Sequence, residues 1–397
     1  MRILFISDYE ISSIAGGIEK VVHTLSREFM QRGIKCYSAY YEFKGVGKTS
    51  VFDSTVQISD TDCLISFIRE QKIDVIITAL AKKKNFVPLM PKLYDATRGL
   101  NCRVIYGYYN MPGYELAGKM DIDLFRYRLK CGGDIKNSIL TFGVSCVSRS
   151  FLNVLMRYFI GHKLFYGTKS DMIYVLSSHY IEPYKKLVGN YSDTPFMAIG
   201  NPLSFVQEEC RINLSEKEKI VINVSRFDVV HKCQNDLLDI WREIENDAAY
   251  DDWKLLLVGY GQDELFLKGY AAELDLKRVE FVGVCDPRKL YEKASIYALT
   301  SAFEGLPMVL LDAEQYGVVP VSVDSYAAVH DIIQDNQNGF IVKYGNKTDF
   351  VRCLKELMSD AEKRNAMSVK CLDAINKFDK DIIVNEWISN LQRLISN

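Results

Sequence analysis

"IYALTSAFEGLPMVLLDAEQYGVVPVSVD", residues 296–324, carries two apolar strand-like runs, 296–301 and 319–324, around a segment that reads as a helix. Pro307 suits the first turn of that helix, where its missing N–H costs nothing. Continuous apolar runs, rather than alternating ones, mark strands covered on both faces, hence a parallel sheet with helices on each side.

The same pattern extends over most of the chain. The first half holds "RILFISD" (2–8), "KCYSAYY" (35–41), "DVIITAL" (74–80), "RVIYGYY" (103–109), "FGVSCVS" (142–148) and "DMIYVLS" (171–177). The second half adds "KIVINVS" (219–225), "WKLLLVG" (253–259), "VEFVGV" (279–284) and "GFIV" (339–342). Two such series in 397 residues predict an α/β protein of two tandem Rossmann-like domains. The expected division is 1–200, an N-terminal domain, and 201–375, a C-terminal one, with Gly200 and Pro202 punctuating the join. A last segment, 376–397, has Ile382, Ile383, Trp387, Ile388, Leu391 and Leu394 at helix spacing and must pack on something.

Composition narrows the class. Apolar residues make up 48% and charged residues 25%, as in a soluble globular protein, and no apolar run reaches the length of a membrane helix. The opening "MRILFISDYE" has a short apolar stretch ending in acids, unlike a signal peptide. The ten cysteines form no C-x-x-C pair, so reduced core cysteines in a cytoplasm are expected. Charge is uneven: residues 1–200 hold 26 Lys and Arg against 18 Asp and Glu, whereas 201–397 hold 23 against 33. With the amphipathic, cation-rich stretch 148–169 and the basic "AKKKNF" (81–86), this leaves open peripheral contact with an anionic membrane; a core-facing helix with a basic edge explains 148–169 slightly better.

Parallel sheets bind ligands at the carboxyl ends of their strands, so the loops there hold the candidates. After the first strand, Gly16 and Gly17 open a helix whose free N–H groups could meet an anion, or simply form a turn. After "KIVINVS", Arg226 and Lys232 sit six apart and suit a diphosphate. After "IYALTS", Glu304 precedes a helix start where Leu306, Met308 and Val309 offer N–H groups, and Asp312 lies further along. Carboxylates beside such a start suit sugar hydroxyls better than phosphate. "VGYGQ" (258–262) lacks the third glycine of a dinucleotide fingerprint and reads as a turn.

Together these residues resemble glycosyltransferase family 4, retaining enzymes with the GT-B fold. The resemblance runs along nearly the whole chain. It rests on E-x7-E as "EGLPMVLLD", then "AEQYGVVPV" for E-A-x-x-x-G-x-P-V, "SRFDVVHK" for G-R-x…K, "IGNPL", "NQNGFIV" and the early "GG". It implies two Rossmann-like domains facing a cleft, with the C-terminal helix crossing back to the first. It also implies transfer of a hexose from a nucleotide-diphosphate sugar, UDP-linked by analogy, to a glycan or polyprenyl-linked acceptor in cell-surface polysaccharide synthesis, such as lipopolysaccharide or capsule. No metal and no cofactor are implied; the basic first half and the stretch 148–169 add the expectation of a cytoplasmic protein open to peripheral contact with the inner membrane face.

By the resemblance, Arg226 and Lys232 hold the diphosphate, Glu304 the transferred sugar and Asp312 the ribose. Gly16, Gly17, Asn201, Gly305, Leu306, Pro307, Met308 and Val309 line the donor site. Three departures stand out: Asp312 replaces a glutamate, Ser225 replaces a glycine, and Tyr109 or Asn110 stands where many relatives have a histidine. A donor-binding but catalytically weak partner subunit, or a nucleotide-sugar epimerase of the same fold, remains open on these residues.

Overall fold

The computed structural model describes residues 1–11, 17–43, 51–80, 83–114, 122–130, 135–146, 160–189, 193–205 and 212–396. Gly16, residues 148–159 and the first two residues of "AKKKNF" lie outside them. The chain divides into two compact units: Met1–Pro112, Asn153–Ser204 and Lys377–Asn397 form unit 1; Gly113–Leu152 and Phe205–Asn376 form unit 2.

Unit 1 is built on β1 (Arg2–Tyr9), β2 (Lys35–Glu42), β3 (Ser54–Gln57), β4 (Val75–Ala79), β5 (Arg103–Tyr108), β6 (Met172–Val175) and β7 (Phe196–Ala198). They pair in the order β3-β2-β1-β4-β5-β6-β7, and every pair is parallel. Val75–Ala79 is buried at every position, which is why its sequence runs apolar without alternating. β3 was not legible as a strand: it is short, at the sheet edge, and half-exposed on alternate residues. The last helix, Lys380–Ser396, lies within unit 1. Its Trp387 is fully buried, with ring centroids 6.5 Å from Phe29 and 4.6 Å from Tyr174.

Unit 2 repeats the plan with β8 (Ile220–Val224), β9 (Lys254–Val258), β10 (Val279–Gly283), β11 (Ile296–Leu299), β12 (Val319–Asp324) and β13 (Phe340–Lys343). The order is β10-β9-β8-β11-β12-β13, again parallel throughout. Chain order reverses between β8 and β11, so a crevice opens beyond their carboxyl ends. Trp241, Trp253, Leu255, Leu257 and Leu354 belong to its core.

Two expectations need correction. "FGVSCVS" is no strand: Phe142–Ser145 closes the helix Ile135–Ser145. Phe142 is taken up by helix packing, stacked on Phe125 of the helix Ile122–Lys130 at 4.5 Å, and this tertiary contact overrides strand propensity. Residues 113–152 stand in unit 2, not in an N-terminal domain of residues 1–200, because Leu124, Phe125, Tyr127 and Phe142 join the unit 2 core.

One buried cation gives a stability test. Lys217 precedes β8, and its amine donates to the Tyr291 carbonyl at 2.7 Å; burial pushes its pKa down to about 7. An unfolded lysine titrates near 10.4, so between about pH 7 and 10.4 the unfolded chain binds more protons than the folded one. Stability should therefore rise with pH over that window and flatten below it. Lys217→Met should remove this slope and stabilise the protein at pH 7 by about 1–2 kcal/mol, less than full linkage because the side chain stays partly solvated. Denaturant titrations of both proteins at pH 7 and 10 check it; equal slopes for the two would refute the assignment.

Candidate active site

Lys232 and Glu304 meet at the crevice of unit 2. Lys232 ends the one-turn helix Val229–Lys232 after β8, and Glu304 lies in the loop after β11. The Lys232 ammonium is 2.6 Å from Glu304 Oε1, with the two side chains 15% and 9% exposed. His231 Nε2 lies 3.8 Å from Glu304 Oε2 and 2.9 Å from the Phe303 carbonyl oxygen, and the imidazole stacks on the Phe303 ring at 4.0 Å. Burial alone would raise the Glu304 carboxyl. Lys232 and His231 outweigh it and hold the group far below the usual carboxylate range. The glutamate is therefore an anion at neutral pH, an acceptor poised for hydroxyl donors.

The loops are tied so that this pair forms. Cys233 takes a left-handed conformation, φ 50°, which lets a second helix, Gln234–Glu245, start at once. The Thr300 hydroxyl lies 3.0 Å from both the Lys232 and Cys233 carbonyl oxygens, and the Ala302 N–H donates to the His231 carbonyl at 2.8 Å. Both contacts join the β8 loop to the β11 exit.

Arg226 is placed differently. Its side chain is 63% exposed, and Nη2 donates to Asp228 Oδ2 at 3.0 Å. Its backbone is fixed: the Gln234 amide donates to the Arg226 carbonyl at 2.8 Å and to Ser225 Oγ at 2.9 Å. Ser225 in turn donates to Asn223 Oδ1 at 2.7 Å. The hydroxyl that departs from the family glycine thus braces the loop. The "VGYGQ" turn packs against it: a Cβ on Gly259 would sit 2.0 Å from the Ser225 carbonyl oxygen, and one on Gly261 2.1 Å from that of Phe227. Those glycines serve a close approach of two loops, not a dinucleotide.

Pro307 caps the helix Met308–Gln315 rather than standing inside its first turn, and Leu310 N–H closes back on the Pro307 carbonyl at 3.0 Å. Met308 and Val309 open that helix, and Leu306 is buried just before it, next to Gly305. Asp312 is buried on the same helix, and both it and Glu304 help keep the buried Tyr297 protonated, after burial itself. The Tyr297 hydroxyl donates to the Val224 carbonyl at 2.9 Å, which joins β11 to the end of β8.

The remaining candidates belong to unit 1. Gly17 is the exposed first residue of the helix Gly17–Gln31, and Gly16 lies outside the described residues. Asn201 is buried after β7. The Tyr109 hydroxyl is buried rather than presented to an acceptor; the ring lies edge-on to Tyr174 at 5.3 Å, and burial raises its pKa. Asn110 Oδ1 accepts the Met111 N–H at 2.9 Å.

Four residues around the site carry no motif signal of their own: His231, Thr300, Gln234 and Arg128. Arg128, on the helix Ile122–Lys130, forks onto Asp263 and also reaches Asp228. A polar residue inside an apolar strand, such as Asn223, was the one available hint that a buried network sits there. A cleft of about 690 Å³ lined by Lys217, Lys219, Lys254 and Arg278 lies at the amino ends of β8, β9 and β10, away from these carboxyl-end loops.

Two all-parallel sheets of this order, one in each unit, define a GT-B protein. HepE of Anabaena, solved in complex with UDP, matches with a TM-score of 0.74 at 15% identity, over 99% of this chain and 100% of that one. Residues 206–370, most of unit 2, match the family described as "Glycosyl transferases group 1". An uncharacterised glycosyltransferase of Haemophilus influenzae is 29% identical over 193 residues, 48% of this chain and 53% of that protein. The chain thus spans about half the length of this relative. N-acetylgalactosamine-N,N'-diacetylbacillosaminyl-diphospho-undecaprenol 4-alpha-N-acetylgalactosaminyltransferase of Campylobacter jejuni is 25% identical over 98% of this chain and all of its own length.

Proposed function

We propose that the chain transfers a hexose, with retention, from a UDP-linked sugar to a glycan or polyprenyl-diphosphate-linked acceptor during cell-surface polysaccharide synthesis. The observation that carries this reading is the buried Lys232–Glu304 pair at the crevice of unit 2. In use, Lys232 and Arg226 neutralise the departing diphosphate, Glu304 accepts hydroxyls of the sugar, Asp312 accepts from the ribose, and the start of the helix Met308–Gln315 faces phosphate. The retaining path is front-face, with a donor phosphate oxygen taking the acceptor proton.

The relatives support the substrate classes. HepE was solved with UDP and with UDP-glucose, and the Campylobacter jejuni relative is named for a diphospho-undecaprenol acceptor. Among the described residues no helix is long and apolar enough to cross a membrane.

The test is a panel of UDP- and other nucleotide-linked sugars, scored first by thermal stabilisation and then by release of nucleoside diphosphate with lipid-linked acceptors. Stabilisation by one donor without turnover on any acceptor would favour a donor-binding partner subunit. Because cationic side chains carry the charge neutralisation, turnover should persist in EDTA. Loss in chelator, restored by Mg²⁺ or Mn²⁺, would contradict the roles given to Arg226 and Lys232.

A further inference from the structure

Arg128 comes from the first half of the chain but packs within unit 2. It is buried, and its guanidinium is shared between two carboxylates. Nε donates to Asp263 Oδ1 at 3.0 Å and Nη2 to Asp263 Oδ2 at 2.6 Å, while Nη2 also reaches Asp228 Oδ1 at 3.2 Å. Asp263 is fully buried, and its Oδ2 accepts the Val229 N–H at 2.8 Å. That N–H opens the helix which ends in Lys232. The other oxygen of Asp228 is the one that Arg226 holds.

One carboxylate therefore stands between two guanidinium groups, one buried and one exposed. Arg128, held more closely by Asp263 at 2.6 Å, offsets part of the charge on Asp228 at 3.2 Å. What remains for Arg226 is a single contact that solvent screens. Without Arg128, Asp228 would present a full negative charge, which would repel a diphosphate and hold Arg226 to itself. A second contact ties the same segment to the other side of the site. The Tyr114 ring lies 5.6 Å from that of Phe303, the residue before Glu304 and the platform under His231.

We propose that Arg128 is a positioning residue for the donor: it neutralises Asp228, leaving Arg226 free to swing onto a nucleoside diphosphate, and through Asp263 it anchors the turn that carries Lys232. This rests on the reading of Arg226 and Lys232 as diphosphate ligands. A segment remote in sequence from the matched family region thereby sets the affinity of the site.

The experiment is calorimetric titration of UDP into the full chain. The key variant is R128Q/D263N, which replaces the buried ion pair with a neutral amide pair and so avoids a lone buried charge. It should bind UDP about 10-fold more weakly, since Asp228 now competes for Arg226. Adding D228N should bring affinity back to within about 3-fold of wild type, because the competitor is gone. A merely structural role predicts the reverse, a further loss with the third substitution. R128K, which keeps the charge but not the fork, should lie between wild type and R128Q/D263N. R226A should also weaken UDP about 10-fold. If R226A is weakened while R128Q/D263N binds as wild type, or if D228N restores nothing, the role given to Arg128 is wrong. If R226A itself binds UDP as wild type, the diphosphate assignment falls, and this inference with it.

Discussion

Lys232→Ala should lower kcat by about 10²–10³-fold, the scale for removing one charge-stabilising donor from a transition state. The structure adds a second loss. Glu304 is buried, and its anionic form depends on the ammonium 2.6 Å away. Removing one partner of a buried pair costs about 3–5 kcal/mol, so the variant should also be less stable. The two losses are separable: Lys232→Met combined with Glu304→Gln removes both charges, and stability should largely return while turnover does not. The pH profile follows from sign. In the wild type the folded carboxyl titrates below the unfolded one, so its contribution is complete above about pH 4.3 and fades as pH falls below that value. In Lys232→Ala burial dominates and the dependence reverses, with stability rising as pH falls from the raised folded pKa to about 4.3. Initial rates of nucleoside diphosphate release and acid denaturation curves for the three proteins decide it. A Lys232→Ala enzyme with wild-type turnover would remove this lysine from the chemistry.

The parallel sheets were legible because burial on both faces writes itself into composition. β4 is apolar at every position but Thr78 and buried throughout, and β12 is buried at every position but Asp324. Edge strands escape this logic: β3 alternates, and β7 is three residues inside what reads as a domain join. Glu304 and Asp312 were legible for a different reason, since an acid beside an apolar βαβ unit must have a polar purpose. The surroundings were not. Arg128 lies 135 positions from Asp263 and 100 from Asp228, and no local spacing announces a contact of that range. The same holds for "FGVSCVS", which suits a strand until Phe125 of the helix Ile122–Lys130 stacks on Phe142. Arg226 shows the limit within a motif: its spacing to Lys232 gave the loop, but not the contact of its guanidinium with Asp228, two residues on.

The two acids should fail differently. Glu304→Gln keeps the shape but turns an ionic acceptor into a neutral one, and it leaves Lys232 without its anion. Turnover should fall about 10²-fold, while binding of free UDP, which has no sugar to read, should change by no more than about 3-fold. Asp312→Asn should do the opposite and weaken free UDP by about 1.5–3 kcal/mol, the worth of a hydrogen bond to a charged group. Asp312→Glu restores the usual family residue, yet the structure argues against a gain. Asp312 is buried on the helix Met308–Gln315, between the fully buried Leu311 and Ala313, and near enough to the buried Tyr291 and Tyr297 to raise the pKa of each. One more methylene there should overpack and cost about 1–3 kcal/mol of stability. Calorimetry with UDP, steady-state rates and denaturation of the three variants separate these outcomes. If Glu304→Gln and Asp312→Asn both bind UDP and turn over as wild type, the carboxylates brace the fold and the donor site lies elsewhere.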